Sequence, residues 1–241
     1  MLENIVQVPY LTSAKMQRCS NLGFNLATSY SIQAKNHELS KYNEDLYGCL
    51  NTDIVQAAAN ILKLNPVTDI VDLALKIQED LAIMHNGVLA AICFCYPSSW
   101  VPSEKLGLNF LQIHNDVADN QKLLEAGERI MKTITTTGPF RRYVWTITNN
   151  SALSNHPKSK LTATPNSIEE LYFRYETQTT VPMPNYNAAM LLVNVTVEKL
   201  STFWDRLEHR KLILDSINSM TNTILTYKNL HHIKRLLNND N

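Results

Sequence analysis

One histidine and one short strand hold most of the chemistry legible in this chain of 241 residues. His114 ends the apolar phrase Leu108-Asn109-Phe110-Leu111-Gln112-Ile113-His114, just after a short helix opening near Pro102. A neutral imidazole in such surroundings is either a nitrogen ligand for a metal or a core group satisfied by a hydrogen bond. In residues 173–180, Arg174, Glu176 and Gln178 alternate with Phe173, Tyr175 and Thr177 at the period of a strand, so a cation, a carboxylate and an amide share one face. They are either a partly exposed ion pair of small energetic weight or three functional polar groups gathered on one face. Function depends on whether residues 96–117 and 173–180 meet in space.

The elements that must position these residues follow from periodicity. Residues 34–48 and 53–64 read as helices, the second with Asp53 as its cap and Pro66 beyond its end. Residues 69–85 carry a mostly helical stripe from Ile70 to Ile83, with Asn86-Gly87 as a turn after it. The apolar run 88–96 reads as a buried strand. Residues 119–135 read as a helix, 140–148 as a strand, 149–166 as a loop, 188–197 as the last strand, and 198–218 and 220–237 as terminal helices. The sum is an α+β chain with a mostly antiparallel, four-stranded sheet and helices before and after it.

Bulk properties exclude several classes. Lys plus Arg and Asp plus Glu balance at 22 each, so no cationic excess exists to hold a nucleic acid. Cys19, Cys49, Cys93 and Cys95 are too few and scattered for a disulfide framework, and Cys93-Phe94-Cys95 has no second ligand pair for zinc. No apolar run approaches the roughly 18 residues of a membrane span. A soluble, cytoplasmic protein is expected. His85 and His156 compete with His114 as ligands, whereas His231 and His232 occupy adjacent helical positions and cannot face one metal together.

Seven phrases occur in an order and spacing that resembles the heme-dependent oxidative N-demethylase family, over about residues 22–230. They are Ile77-Gln78-Glu79-Asp80-Leu81, Tyr96-Pro97-Ser98-Ser99-Trp100, Glu104-Lys105-Leu106-Gly107, Ile113-His114, Trp145 on its strand, Arg174-Tyr175-Glu176-Thr177-Gln178-Thr179 and Tyr227-Lys228. The chain departs from the family pattern at Ser99, at Asn115-Asp116-Val117, and at Thr179-Thr180, where basic residues usually follow the glutamine. The resemblance implies a PAS-like fold in which N-terminal and C-terminal helices and the sheet surround a heme pocket, with residues 1–30 as an arm and 31–241 as one heme-binding domain. It implies a monooxygenase that holds heme b, takes dioxygen and a small alkylamine, and releases formaldehyde. It also implies His114 as the iron ligand, Lys105, Arg174, Trp145 and Gln178 as cofactor contacts, and Glu176 with Arg174 as the catalytic pair.

The resemblance also implies that electrons come from a separate flavin and iron–sulfur reductase, and the chain itself contains no G-x-G-x-x-G and no cluster-binding cysteine set. A non-catalytic heme or small-molecule sensor is the alternative, and a heme-free structural subunit with a packed His114 is a third reading.

Overall fold

The computed structural model describes residues 2–159 and 163–240, so the expected loop 149–166 is covered except for 160–162. Helices are α1 (Leu2–Ile5), α2 (Ser29–Tyr42), α3 (Thr52–Leu62), α4 (Ile70–Leu75), α5 (Phe110–His114), α6 (Gln121–Glu125), α7 (Gly127–Thr136), α8 (Ser201–Trp204), α9 (Leu207–Asn218), α10 (Asn222–Tyr227) and α11 (His231–Asn239). Strands are β1 (Gln17–Arg18), β2 (Tyr47–Cys49), β3 (Asp80–His85), β4 (Val88–Cys93), β5 (Phe140–Thr148), β6 (Tyr172–Met183) and β7 (Ala188–Lys199). They form one open sheet in the order β1-β5-β6-β7-β3-β4-β2, with every neighbouring pair antiparallel. The fold is α+β, with an antiparallel sheet and flanking helices.

Side-chain parity along β6 explains the layering. Odd positions from Phe173 to Met183 face two apolar cores. One is built from α3, α4, Leu81, Ile83, Met190 and Leu192, and the other from α1, the C-terminal helices, Trp145, Ile147 and Phe173. Even positions face the opposite side. There, Ala82, Ile92 and Val193 pack with Phe94, and Ala189 packs with the apolar side of α7. That side is only partly apolar: the cross-strand pairs Arg142–Gln178, Val144–Glu176 and Thr146–Arg174 put charge on it.

Residues 69–85 are not one helix, as their pattern suggested. Asp69 caps α4 through Asp72 N, the helix ends at Leu75, and Asp80–His85 forms the central strand β3. Leu81 and Ile83, two positions apart, fit a strand as well as a helical stripe. What ends the helix is Lys35, reaching in from α2. Its ammonium is fully buried and donates to Ala74 O (2.9 Å), Ile77 O (3.2 Å) and Glu79 O (2.5 Å), carbonyls a continuing helix would use itself. Asp80 Oδ1 lies 4.0 Å from the same ammonium, and Asp80 accepts Cys95 N at 2.9 Å and Tyr96 N at 2.8 Å.

Other boundaries moved for local reasons. Asn51, not Asp53, caps α3 by accepting Asp53 N and Ile54 N. The expected helix 34–48 starts earlier, where Thr28 and Ser31 form a reciprocal cap, and gives up residues 47–49 to β2. The sheet has seven strands rather than four because β3 was hidden in a helical stripe and β1 and β2 have two and three residues.

Burial pushes the Asp80 carboxyl up to about 6, opposed by Lys35 and by the Cys95 and Tyr96 amides. The native state therefore holds a proton that the unfolded chain releases between pH about 4 and 6, and stability falls as pH rises through that window. Replacing Lys35 with Met should move the Asp80 titration upward and cost about 3–5 kcal/mol, since a buried charge loses its partner. Carboxyl NMR titration and urea unfolding measure both effects; an unchanged urea midpoint would remove Lys35 as the tie between α2 and β3.

Candidate functional site

The two stretches singled out in the sequence meet on the polar side of β6. Ser98, from the phrase after β4, donates to Glu176 Oε1 at 2.6 Å. Arg174 Nη1 donates to the same oxygen at 2.8 Å, and Gln178 Nε2 donates to Oε2 at 2.7 Å. The expected sharing of one strand face by Arg174, Glu176 and Gln178 is thus observed as a hydrogen-bonded triplet. A carboxylate offers about four lone-pair sites, and three are taken, leaving Glu176 room for one more donor.

Arg174 is 3% exposed, and its other contacts are backbone carbonyls: Nη2 donates to Tyr96 O at 3.1 Å and to Leu153 O at 3.2 Å. The guanidinium is committed to orienting Glu176 and to joining the loop 149–159 to the phrase after β4. Ser99 N to Asn155 O and Asn155 N to Pro97 O, both 2.9 Å, complete that junction. Burial is the largest influence on the Glu176 carboxyl and pushes it upward. The charge of Arg174 and the hydrogen bonds from Ser98, Arg174 and Gln178 together outweigh burial and hold it below the ordinary glutamate value.

His114 is the last residue of α5, whose start is fixed by a reciprocal cap between Asn109 and Gln112. Asn120 Nδ2 holds the far end by donating to His114 O at 2.8 Å. Gly127 lets α7 approach: a Cβ there would stand 2.6 Å from Leu111 Cδ2 and 3.2 Å from Phe110 Cδ1. Because a carbonyl only accepts, His114 Nδ1 is the donor in its 2.8 Å bond to Phe110 O. Nε2 then carries the lone pair and has no hydrogen-bond partner among the described residues. Burial, then the charges of Arg142 and Lys105, hold the imidazole below its ordinary value, so it is neutral at pH 7.

Arg142 and Tyr10, which no sequence pattern singles out, join the cluster with Lys228 of the Tyr227-Lys228 phrase. Arg142 is directly across from Gln178 on β5 and lies within electrostatic range of both Glu176 and His114. Lys228, after α10, donates to Trp145 O at 2.9 Å and lies 5.4 Å from the Tyr10 ring centre. Burial first, then repulsion by Arg174 and Arg142, lowers its ammonium to about 8, with Glu176 opposing. Burial pushes the Tyr10 hydroxyl up to about 12.

The remaining expected site residues lie less centrally. Lys105 is half-buried and stands 3.7 Å from Asp116 on the His114 side. Trp145, three positions from Arg142, points to the other side of the sheet, where it stacks on Phe173 at 5.5 Å between centroids. His156 is stacked on Tyr42 at 4.0 Å with Nε2 3.3 Å from Asp45, anchoring a loop rather than entering the cluster. Among the described residues, no three His, Cys, Asp or Glu side chains converge as a metal centre. A surface cleft of about 370 Å³ lined by Ser13, Met16, Lys122 and Arg129 contains none of these residues.

The depressed Glu176 carboxyl contributes stability at neutral pH that is lost as pH falls from 4.5 toward its lower folded value. Arg174→Gln removes the compensating charge and should cost about 3–5 kcal/mol at pH 7. In that variant burial lifts the Glu176 carboxyl above 4.5, so acidification from neutrality toward 4.5 should restore stability. Urea unfolding at pH 7 and pH 4 tests the reversal, and parallel pH profiles for both proteins would count against it.

None of the curated proteins compared matches the chain. Residues 30–237 match the family described as haem-dependent oxidative N-demethylase, alpha subunit-like, and because that match covers most of the sequence, the chain belongs to this family.

Proposed function

We propose that the chain is a cytoplasmic heme b monooxygenase that demethylates a small alkylamine, with residues 31–241 as a PAS-like heme-binding domain. His114 would hold the heme iron in this reading. The observation that carries it is the fixed tautomer: Nδ1–H is tied to Phe110 O, which leaves the basic nitrogen of a neutral imidazole free of other hydrogen bonds among the described residues. A ligating histidine needs this arrangement, in which the second nitrogen fixes ring orientation. A single protein ligand would be enough to hold a heme, whose porphyrin supplies the iron's other nitrogen ligands.

The chemistry supplied by heme when bound is activation of dioxygen at the iron and oxidation of an N-methyl carbon, which leaves as formaldehyde. The chain's own residues bind and orient. Glu176, ionised and with one acceptor site open, receives the protonated amine and places its methyl group. Arg174 and Gln178 fix the carboxylate's rotamer, and Ser98 holds it from the facing phrase. Lys105 adds a cation on the His114 side. Trp145 supports the strand from behind the site. Membership of an alpha-subunit-like family favours a partner, which we take to be a flavin and iron–sulfur reductase. No helix among the described residues is long and apolar enough to cross a membrane.

Reconstitution with hemin should give a Soret band that shifts on addition of dimethylamine. In His114→Ala the band should be lost or moved; its persistence unchanged would sink the ligand assignment. Glu176→Gln should keep the Soret band but bind amine about ten- to hundredfold more weakly, the weight of one charge-assisted hydrogen bond. Formaldehyde release with a surrogate reductase separates an enzyme from a heme sensor.

A further inference from the structure

We propose that Arg142 and Lys228 form a carboxylate-receiving pair along strand β5 at the edge of the sheet, separate from the Arg174–Glu176 ion pair. The carboxylate comes either from a heme propionate or from an N-methyl amino acid bound as substrate. The propionate source rests on the heme reading above; the pair's demand for an anion does not.

The first support is charge. Arg174, Arg142 and Lys228 surround one carboxylate, Glu176, and that carboxylate is already paired with Arg174 at 2.8 Å. Two cations remain without a counter-charge of their own. The second is hydrogen bonding. The Arg142 guanidinium, with five donors, makes no hydrogen bond or ion pair among the described residues, although burial weighs on it more than any charge nearby. It is half-buried, so part of its surface stays open while its surroundings are protein. Lys228 uses one donor on Trp145 O and has two left. None of its nitrogens is sealed from solvent, so its donors stay accessible to an incoming anion.

The third support is position. Arg142 is on β5 opposite Gln178, two pairs along from Val144 opposite Glu176, and Glu176 pairs on its other side with Val195. Val144 and Val195 flank Glu176 across the sheet, and the Tyr10 ring lies 5.4 Å from the Lys228 ammonium. Apolar neighbours beside a planar cationic fork suit a carboxylate carried on a hydrocarbon better than a fully hydrated phosphate. An N-methyl amino acid fits both ends, with its ammonium on Glu176 and its carboxylate on the pair.

The test uses the full chain and Arg142→Gln and Lys228→Gln variants, with Arg142→Lys and Lys228→Arg as charge-retaining controls for folding. Hemin and hemin dimethyl ester are titrated against each, followed at the Soret band. If a propionate is the ligand, esterification and Arg142→Gln each weaken binding about ten- to hundredfold, and the two losses do not add. If the substrate supplies the carboxylate, esterification has no effect. Sarcosine then shifts the heme spectrum at lower concentration than dimethylamine, and the Gln variants abolish that preference.

Calorimetry of sarcosine with the heme-free chain keeps the two readings distinguishable, because failure to bind any porphyrin removes the heme reading alone. The pair is overturned if the Gln variants alter neither hemin nor sarcosine binding. It is also overturned if Arg142→Lys and Lys228→Arg lose as much as the Gln variants, or if inorganic phosphate displaces sarcosine from the heme-free chain at equal concentration.

Discussion

The structure depends on a lysine with nowhere to be hydrated. Lys35 lies wholly inside the protein, and its three N–H bonds are met by carbonyls from the end of α4 and the approach to β3. A buried ammonium is tolerated only when its donors and charge are both met, and here Asp80 supplies the charge. Asp80 in turn fixes the amides of Cys95 and Tyr96; Tyr96 O receives Arg174; Arg174 orients Glu176. Each link is a charge or a strong dipole in protein surroundings, where such interactions are strong and misplacement is costly. The position of the Glu176 carboxylate is thereby referred back to α2, an element that supplies none of the site's own hydrogen-bonding side chains.

A second constraint is the division of labour across β6. Its odd residues join two hydrophobic cores and immobilise the strand, while its even residues present charge on the other side. A sheet packed on one face can hold charged groups on the other without giving up core area. The polar groups therefore stand on a rigid support, and the helix with His114 is brought toward that side by close packing of α5 on α7 at Gly127.

The sequence was most legible where one strand held its own pattern. Arg174, Glu176 and Gln178 share a face because the period of two is a property of the strand alone. His114 was found through its phrase, yet the bond that fixes its tautomer, to Phe110 four residues earlier, follows from helical geometry that the phrase did not advertise. Arg142 and Ser98 could not be read, since their importance comes from register with β6 and from a loop contact across 78 residues. Lys35 was hidden for the opposite reason: a lysine on a polar helix looks solvated, and nothing local shows that its chain turns inward. The same ignorance turned β3 into an extension of α4.

The edge of the sheet gives Lys228 a second meaning. β1 pairs with β5 only at Phe140 and Arg141, so the rest of β5 is a boundary strand with outward-pointing carbonyls. α1 lies along part of it, and Lys228 occupies Trp145 O. An uncovered strand edge is a template for another copy of the chain, and a lysine is among the commonest guards against it. Edge protection and the proposed carboxylate contact thus fall on one side chain, and a sequence drifting at this position would face both as its test.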